Sequence, residues 1–324
     1  MSYLSSRGVN TSQALRAGAD ELGGFKFAGL SAASYEGGST SGAPIVPSFV
    51  EQQIIPLAPP IIGVESIATV IPTVADLKFP RKKSHGAAAA KAEGDGTGSN
   101  LFTGTSPETE QFTLTAHMIG HPEDASWELL QDVSVFQAFL ISDVLLTLAT
   151  LKDQWFVTGN GTTQAQGLKG NVGAGVSSVA AGSDSYASEL IDATYDVMAL
   201  LNPVYDNGNT RWLMQKATGL LLRKAQRKAN LFDPIWTREG GVDYLHGNEV
   251  VYSSSMDAAT TGKTPIMYGD FKQGYLIGYR GGAGVNVKIL DQPKALEGLL
   301  TVLGYQRVDG KVRRSEAIQP IALA

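Results

Sequence analysis

Four side chains close together in the sequence have the types that bind zinc or act as general acids and bases: His117, His121, Glu123 and Asp124. Their surroundings, TLTAHMIGHP, favour a β-strand, since Gly120 and Pro122 disfavour a helix. Four residues of a strand span about 13 Å. Two ligands of one zinc ion, each about 2.0–2.1 Å from the metal, cannot lie that far apart. We therefore expect no metal site here. A hydrolase that uses His117 and His121 is an alternative without a substrate to propose.

Other signatures of chemistry do not occur in the sequence. There is no cysteine, which excludes disulfides and thiolate ligands. No G-x-S-x-G elbow, Walker loop or dinucleotide fingerprint is present. The glycine-rich segment 281–284 is predicted to be a turn between strands, with no helix after it to bind a phosphate. We expect no enzyme activity, no cofactor and no metal.

The composition is typical of a chain that covers much of its surface with neighbours. Charged residues make up 18% of the 324 residues, hydrophobic residues 43%, and there are 37 glycines. An average soluble domain has about 25% charged residues. The net charge of −5 argues against a reader of nucleic acid, which normally has a concentrated basic face. No basic-then-apolar leader and no apolar run near 18 residues occurs, so neither secretion nor a membrane span is expected.

The central element that must position the rest is a long helix predicted from about Ser134 to Thr158. Ser134 and Gln137 form a capping box, and Gly159 stands where a helix commonly ends. About 25 residues give a rod of roughly 37 Å, which is long enough to be the spine of a domain. An apolar line recurs at helical spacing through Phe136, Phe139, Leu140, Val144, Leu148, Leu151 and Trp155, with Asp143, Lys152 and Asp153 expected off that line.

Before this helix, residues 74–82 and 109–119 alternate polar with apolar side chains, as the two arms of a hairpin do. The glycine-rich segment between them, 86–108, is too long for an ordinary turn. The charges are segregated, and they either pair between subunits or simply keep the hairpin solvated. They are Lys78, Arg81, Lys82, Lys83 and Lys91, followed by Glu93, Asp95, Glu108 and Glu110.

Two more helices are predicted after the long helix, at 188–201 and 215–229. We expect the first to bury Leu190, Ile191, Tyr195, Met198 and Leu201, and the second to bury Leu220, Leu221 and Leu222. The basic residues of the second, Arg223, Lys224, Arg227 and Lys228, either contact phosphates or form a solvated face. The strands in residues 260–324 must pair with elements far earlier in the chain, which predicts interleaved domains.

Several of these segments together resemble one family. The stretch SWELLQD, the long helix, GNGT and QAQGL are followed in order by RWLM, HGNEV, GDF and the segment from Asp309-Gly310 to Ala317. This order is similar to that of the major capsid proteins of tailed bacteriophages, which have the Hong Kong 97-type fold. The resemblance covers roughly residues 46–324.

The resemblance implies an α+β chain made of an N-arm, an extended β-hairpin loop (E-loop), a peripheral P-domain with the spine helix, and an axial A-domain. The 1–45 segment, too poor in apolar residues to bury a core, is then the arm instead of a disordered tail. The implied segments are 1–45 N-arm, 46–73 P-domain, 74–119 E-loop, 120–185 P-domain with the helix at about 134–158, 186–284 A-domain, 285–305 P-domain return strands, and 306–324 A-domain C-terminal strand.

The implied function is a head of pentamers and hexamers that encloses double-stranded DNA and expands as the DNA enters. The expected location is the virion, after assembly in the host cytoplasm. Met1 at the start favours an unprocessed chain, so the expected partners are a separate scaffolding protein, a portal and a decoration protein. The alternative of the same fold is an encapsulin-type nanocompartment around a cargo enzyme.

One branch of the family joins subunits by Lys–Asn isopeptide bonds promoted by a Glu. In this sequence the Asn position is Gly298 and the Glu position is Tyr305, although Lys82, Lys83 and Lys91 could donate. We therefore expect a shell held by non-covalent contacts.

Overall fold

The computed structural model describes residues 57–91, 93, 104–132, 136–178, 186–229 and 235–323. The expected N-arm at 1–45, Asp95, and the cap at Ser134 lie outside these residues. No helix within the described ranges is long and apolar enough to cross a membrane.

The helices differ strongly in length, and the longest occupies the position that the apolar spacing predicts. Helix α3 covers Phe136–Thr158 and ends one residue before Gly159, where the predicted end lies. The α-helices are α1 (Val64–Ile67), α2 (Trp127–Asp132), α3 (Phe136–Thr158), α4 (Tyr186–Leu200), α5 (Lys216–Ala229) and α6 (Phe271–Gly274).

The first of three sheets has five strands around the 14-residue β13. One side of β13 pairs with β4 along most of its length, and the other side pairs with β12 and then with β11. The parallel strand β1 adds to β11. The strands are β1 (Thr69–Thr73), β4 (His117–Ser126), β11 (Tyr275–Arg280), β12 (Asn286–Leu290) and β13 (Leu299–Val312).

Helix α3 lies across β13 and β4 of this sheet. Val144 and Leu148 of the helix approach the backbone of Gly304 so closely that a Cβ at that position would collide with them. Glycine is therefore required where the helix crosses the middle strand. Leu140, Val144, Leu148 and Phe156 are buried in this core together with Tyr275 and Tyr279.

The second sheet has seven strands in the order β5-β14-β10-β6-β9-β8-β7 and has its own apolar core. Helices α4 and α5 pack against each other over this core. The strands are β5 (Val176–Ser178), β6 (Arg211–Met214), β7 (Trp236–Glu239), β8 (Val242–Leu245), β9 (Asn248–Tyr252), β10 (Ile266–Gly269) and β14 (Ile318–Leu323).

Long-range pairing interleaves the two sheets, as expected for the strands in residues 260–324. Strand β14, at the end of the chain, pairs with both β5 and β10. The implied segment boundaries at 284 and 305 do not coincide with the sheets, since β11 belongs to the five-stranded sheet and β13 continues without a break from residue 299 to 312. In this part of the chain, the backbone passes from the seven-stranded to the five-stranded sheet between β10 and β11, and it returns between β13 and β14.

The third sheet is a ribbon of two strands, β2 (Leu77–Lys82) and β3 (Thr109–Leu114), which pair with no other strand in the part of the chain that the structure describes. The expectation that the second arm continues to residue 119 is wrong. After Thr115 and Ala116 the chain enters β4, whose residues from His117 onward pair with β13.

Several predicted faces of the helices are wrong. Tyr195 is 50% exposed and Leu220 56% exposed, although both were expected in the core. In α3, Lys152 and Asp153 are buried, although both were expected off the apolar line. These two charged residues make buried polar contacts that join α3 to distant segments of the chain.

Candidate functional site: the hairpin, its anchor and a buried polar connection

The hairpin of β2 and β3 is held together mainly by its own side chains. Phe79 and Phe112 lie opposite each other in the strand register, and their rings stack with centroids 5.3 Å apart. Arg81 lies opposite Glu110 and forms an ion pair with it. Aromatic and opposite-charge pairs across neighbouring strands stabilise such a ribbon.

The candidate intersubunit charges are therefore used in part within one chain. Besides the pair of Arg81 with Glu110, Lys83 Nζ lies 3.4 Å from Glu108. Lys78 and Lys82 are exposed, and Lys82 Nζ lies 3.1 Å from His85 Nδ1. Lys91 and Glu93 are exposed and have contacts of their own. Pairing across the strands brings basic residues of the first arm next to acidic residues of the second arm. The order of charges along the sequence does not show this proximity.

Two arginines anchor the outer end of this ribbon, where Lys82 pairs with Thr109, on the rest of the chain. Arg81 Nη1 donates to the carbonyl oxygen of Arg313 at 2.9 Å, and Arg314 Nη1 donates to the carbonyl oxygen of Lys82 at 2.9 Å. At the base of the hairpin, where Leu77 pairs with Leu114, the Thr115 amide donates to Asp309 Oδ2 at 2.7 Å. The hairpin is thus tied to β13 at its base and to the residues after β13 at its outer end, and within the described ranges its strands carry no further sheet partner.

Beside this outer end lies a cleft of about 470 Å³, whose walls come from residues 82–85 and from the segments around Tyr205, Gln273 and Glu316. Its cationic groups include Lys82, Lys83 and Arg314, while Tyr205 donates to Glu316 Oε1 at 3.1 Å across the other wall.

A buried polar connection joins α3 to both sheets. Asp153 Oδ1 accepts hydrogen bonds from the amides of Gly63 and Val64 at 3.2 and 3.1 Å, and Asp153 Oδ2 accepts one from the Ser253 hydroxyl at 2.5 Å. The carboxylate therefore binds the start of α1 and the residue after β9 at once. Asp153 is 1% exposed, so these three donors supply its solvation.

The neighbouring Lys152 makes the second half of this connection. Its Nζ lies 3.5 Å from Glu65 Oε2 and 3.3 Å from the Tyr279 hydroxyl, which itself donates to Glu65 Oε1 at 2.6 Å. Burial and the Glu65 carboxylate raise the pKa of Tyr279 well above its usual value. The sequence held a signal for Lys152, because Leu140, Val144, Leu148 and Lys152 follow each other at four-residue spacing.

The four residues that first suggested chemistry lie along β4. His117 pairs with Val308 and His121 with Gly304, four residues apart on the same strand. Asp124 forms an ion pair with Lys294 and accepts from Thr301 Oγ1 at 2.5 Å, and the Lys294 contact is the main cause of its lowered pKa. Burial and the nearby Asp143 carboxylate raise the pKa of Glu123. In the described ranges no group of three potential ligands could hold a metal ion.

Residues 42–323 match the model of the Phage capsid family, which is nearly the whole chain. The chain belongs to this family. The capsid family that the motif order predicts is thereby confirmed, and the chain is a capsid protein, whose place is the virion. A comparison with curated proteins gives no match.

Solved capsid structures share the fold of this capsid protein. The capsid of an empty GTA particle matches with a TM-score of 0.68 and 20% identity, over 90% of this chain and 100% of the other. The capsid of a native GTA particle matches with a TM-score of 0.69 at the same identity and coverage. Mycobacterium phage Bobi gives a TM-score of 0.65 and 12% identity, over 87% of this chain and 97% of the other. The predicted α+β fold class, shared with phage capsid structures, is confirmed.

Proposed function

We propose that this capsid protein assembles as pentamers and hexamers into an icosahedral head that encloses double-stranded DNA. A head built from one kind of subunit needs contacts on several sides of that subunit. The hairpin carries the proposal, because β2 and β3 have no other strand partner among the described residues. An isolated two-stranded ribbon is marginally stable in water and needs a surface to pack on.

A neighbouring subunit supplies that surface in this proposal. The charges of the segment 74–119 are then the intersubunit contacts: Lys78, Arg81, Lys82, Lys83, Lys91, Glu93, Asp95, Glu108 and Glu110. Arg81, Lys83, Glu108 and Glu110 stiffen the stem within the chain, and exposed Lys78 and Lys82 are positioned to meet the neighbour. By sheet membership, the seven-stranded sheet with α4 and α5 is the proposed A-domain, and the five-stranded sheet with α3 is the proposed P-domain.

The proposed partners are a scaffolding protein, a portal and a decoration protein, and the shell is held without covalent links. Assembly takes place in the host cytoplasm, and the arm and hairpin rearrange when DNA enters. No feature of the described residues favours the nanocompartment alternative.

Negative-stain electron microscopy of the protein expressed alone, with light scattering of the same sample, tests this function. Uniform hollow shells or closed rings are expected. Replacing residues 87–104 by two glycines, which removes the tip and keeps both stem strands, should leave folded subunits that no longer form shells. A wild type that stays monomeric with its scaffolding partner present contradicts the proposal. A ladder of multimers resistant to heat and detergent contradicts non-covalent assembly.

A further inference from the structure

Helices α4 and α5 of the seven-stranded sheet each carry charge of one sign. Helix α4 has three acidic residues and no lysine or arginine, whereas α5 has five basic residues and no acidic one. The acidic residues are Glu189, Asp192 and Asp196, and the basic residues are Lys216, Arg223, Lys224, Arg227 and Lys228.

Each of the two helices has an exposed face with two like charges and one leucine, and the charge on one face is opposite to that on the other. On α4, the exposed residues Asp192, Asp196 and Leu200 follow each other at four-residue spacing. On α5, Lys216, Leu220 and Lys224 do the same. Residues four apart lie on one face of a helix, so each face is a stripe of two like charges and one leucine. We call these the acidic stripe (Asp192, Asp196, Leu200) and the basic stripe (Lys216, Leu220, Lys224).

Neither stripe is accounted for by contacts inside the chain. Across the described ranges, none of the four charged residues in the stripes takes part in an ion pair. Lys216 begins α5, at the positive end of the helix dipole, where a cation is unfavourable. Leu200 and Leu220 are 48% and 56% exposed, which leaves two large apolar side chains in water.

The stripes belong to helices seated toward opposite edges of one sheet. Helix α4 packs against β5 and β14, which form one edge. Helix α5 meets strands toward the other edge, since Gly219 lies against Trp236 and Tyr252, and Gln226 Oε1 accepts a hydrogen bond from the Trp236 amide at 3.0 Å. Copies arranged around an axis can therefore bring the acidic edge of one to the basic edge of the next.

We propose that the acidic stripe of one subunit docks on the basic stripe of the next copy in a head-to-tail ring. The inference rests on the proposed function and deepens it by naming the surfaces that close the ring. Leu200 of one copy packs on Leu220 of the next, and Asp196, one helical turn from Leu200, pairs with a lysine that flanks Leu220. A contact between two different surfaces of the same chain generates a closed ring when the rotation between copies closes.

Binding of α5 to DNA is the competing use of the basic stripe. Phosphates would attract Lys216 and Lys224, but they would not use the acidic stripe or the exposed leucines. The complementary pattern on both helices favours a second copy of this chain.

Charge reversal tests the docking. Asp192→Lys with Asp196→Lys makes both stripes basic, and Lys216→Glu with Lys224→Glu makes both acidic. Each double variant should lose the rings or shells that the wild type forms, because like charges then face each other. Combining all four changes in one chain should restore them. Lys263→Glu with Lys272→Glu, two exposed lysines outside the stripes, is the matched control and should assemble as the wild type does.

Mixing the two double variants gives a sharper result. An acidic-only copy and a basic-only copy fit each other in alternation, and alternation closes only rings with an even number of subunits. Native mass spectrometry of the mixture should therefore show hexamers of three plus three copies and no pentamers. Circular dichroism of each variant, matching that of the wild type, establishes that lost assembly is not lost folding.

The outcomes separate the two proposals. If the wild type assembles and both double variants assemble equally well, or the fourfold variant is not restored, the docking is wrong and the capsid function stands. If the only change is that Lys216→Glu with Lys224→Glu loses retention on double-stranded DNA, α5 is a DNA contact and the docking is wrong. A wild type that never associates contradicts both proposals.

Discussion

Asp153 and Ser253 are 100 residues apart in the sequence and share a buried hydrogen bond, in which the Ser253 hydroxyl donates to Asp153 Oδ2 at 2.5 Å. Through the same carboxylate, the amides of Gly63 and Val64 are also satisfied. One side chain of α3 thus joins three segments that are distant in the sequence.

Removing this carboxylate should destabilise the subunit strongly. Asp153→Ala leaves two amides and one hydroxyl without their acceptor, and each buried unsatisfied group costs about 1–3 kcal/mol. We expect the free energy of unfolding of the unassembled subunit to fall by about 3–5 kcal/mol. Ser253→Ala should cost only about 1–2 kcal/mol, since Asp153 keeps two donors. Urea unfolding of both variants and of the double variant measures this, and equal costs for the two single variants would contradict the assignment.

Lys152 and Glu65 should respond unequally to substitution. Glu65→Ala leaves the buried Lys152 ammonium without its countercharge, at a cost of about 3 kcal/mol. Lys152→Met removes the buried charge and fills the same space, and it should change stability by less than about 1.5 kcal/mol. Glu65 is the more exposed partner and keeps the Tyr279 hydroxyl as a donor. Urea midpoints at neutral pH compare the two, and a larger loss for Lys152→Met than for Glu65→Ala would be the contrary result.

Ionisation of Glu123 should lower the free energy of unfolding of the subunit as the pH rises above the ordinary pKa of a glutamate. Burial and the Asp143 carboxylate raise the pKa of Glu123 above its ordinary value of 4.5. Between the unfolded and the folded pKa, the folded chain binds more protons, so folding loses stability with rising pH in that window. Glu123→Gln removes this loss and should unfold at a higher temperature than the wild type at pH 7.

The same substitution should give no gain below pH 4, where the wild-type carboxyl is protonated in both states. Thermal unfolding of the two proteins from pH 3.5 to 7.5 supplies the comparison. Glu128→Gln, on an exposed side chain of α2, is the matched control and should leave the unfolding temperature unchanged at both low and neutral pH. If the unfolding temperatures of Glu123→Gln and the wild type differ by the same amount at every pH, Glu123 is not the titrating group.

Arg81 and Arg314 should fix the outer end of the hairpin stem with little effect on global stability. Partly exposed ion pairs contribute about 0–1 kcal/mol, so Arg81→Ala with Arg314→Ala should change the free energy of unfolding by little. Hydrogen exchange of the amides in 77–82 and 109–114 should become faster, because both anchors to Arg313 and Lys82 are lost. Arg238→Ala, which removes the pair with Asp243 in the seven-stranded part, is the control and should leave exchange in the hairpin unchanged.

The sequence by itself determined the elements whose signal is local. Four-residue apolar spacing and Gly159 predict α3, and alternation predicts the ribbon of β2 and β3, because both periods follow from the geometry of a single element. The order of short motifs was sufficient for the capsid family.

Only the tertiary structure decided which surfaces those elements bury. Lys152 and Asp153 are inside because Glu65, Ser253 and Tyr279, from three other parts of the chain, supply their partners. Residues 117–119 leave the ribbon because β13, nearly 200 residues later, offers a complete ladder of hydrogen bonds. Local periodicity follows from the geometry of a single helix or strand. Burial and pairing depend on which distant segment packs against that element.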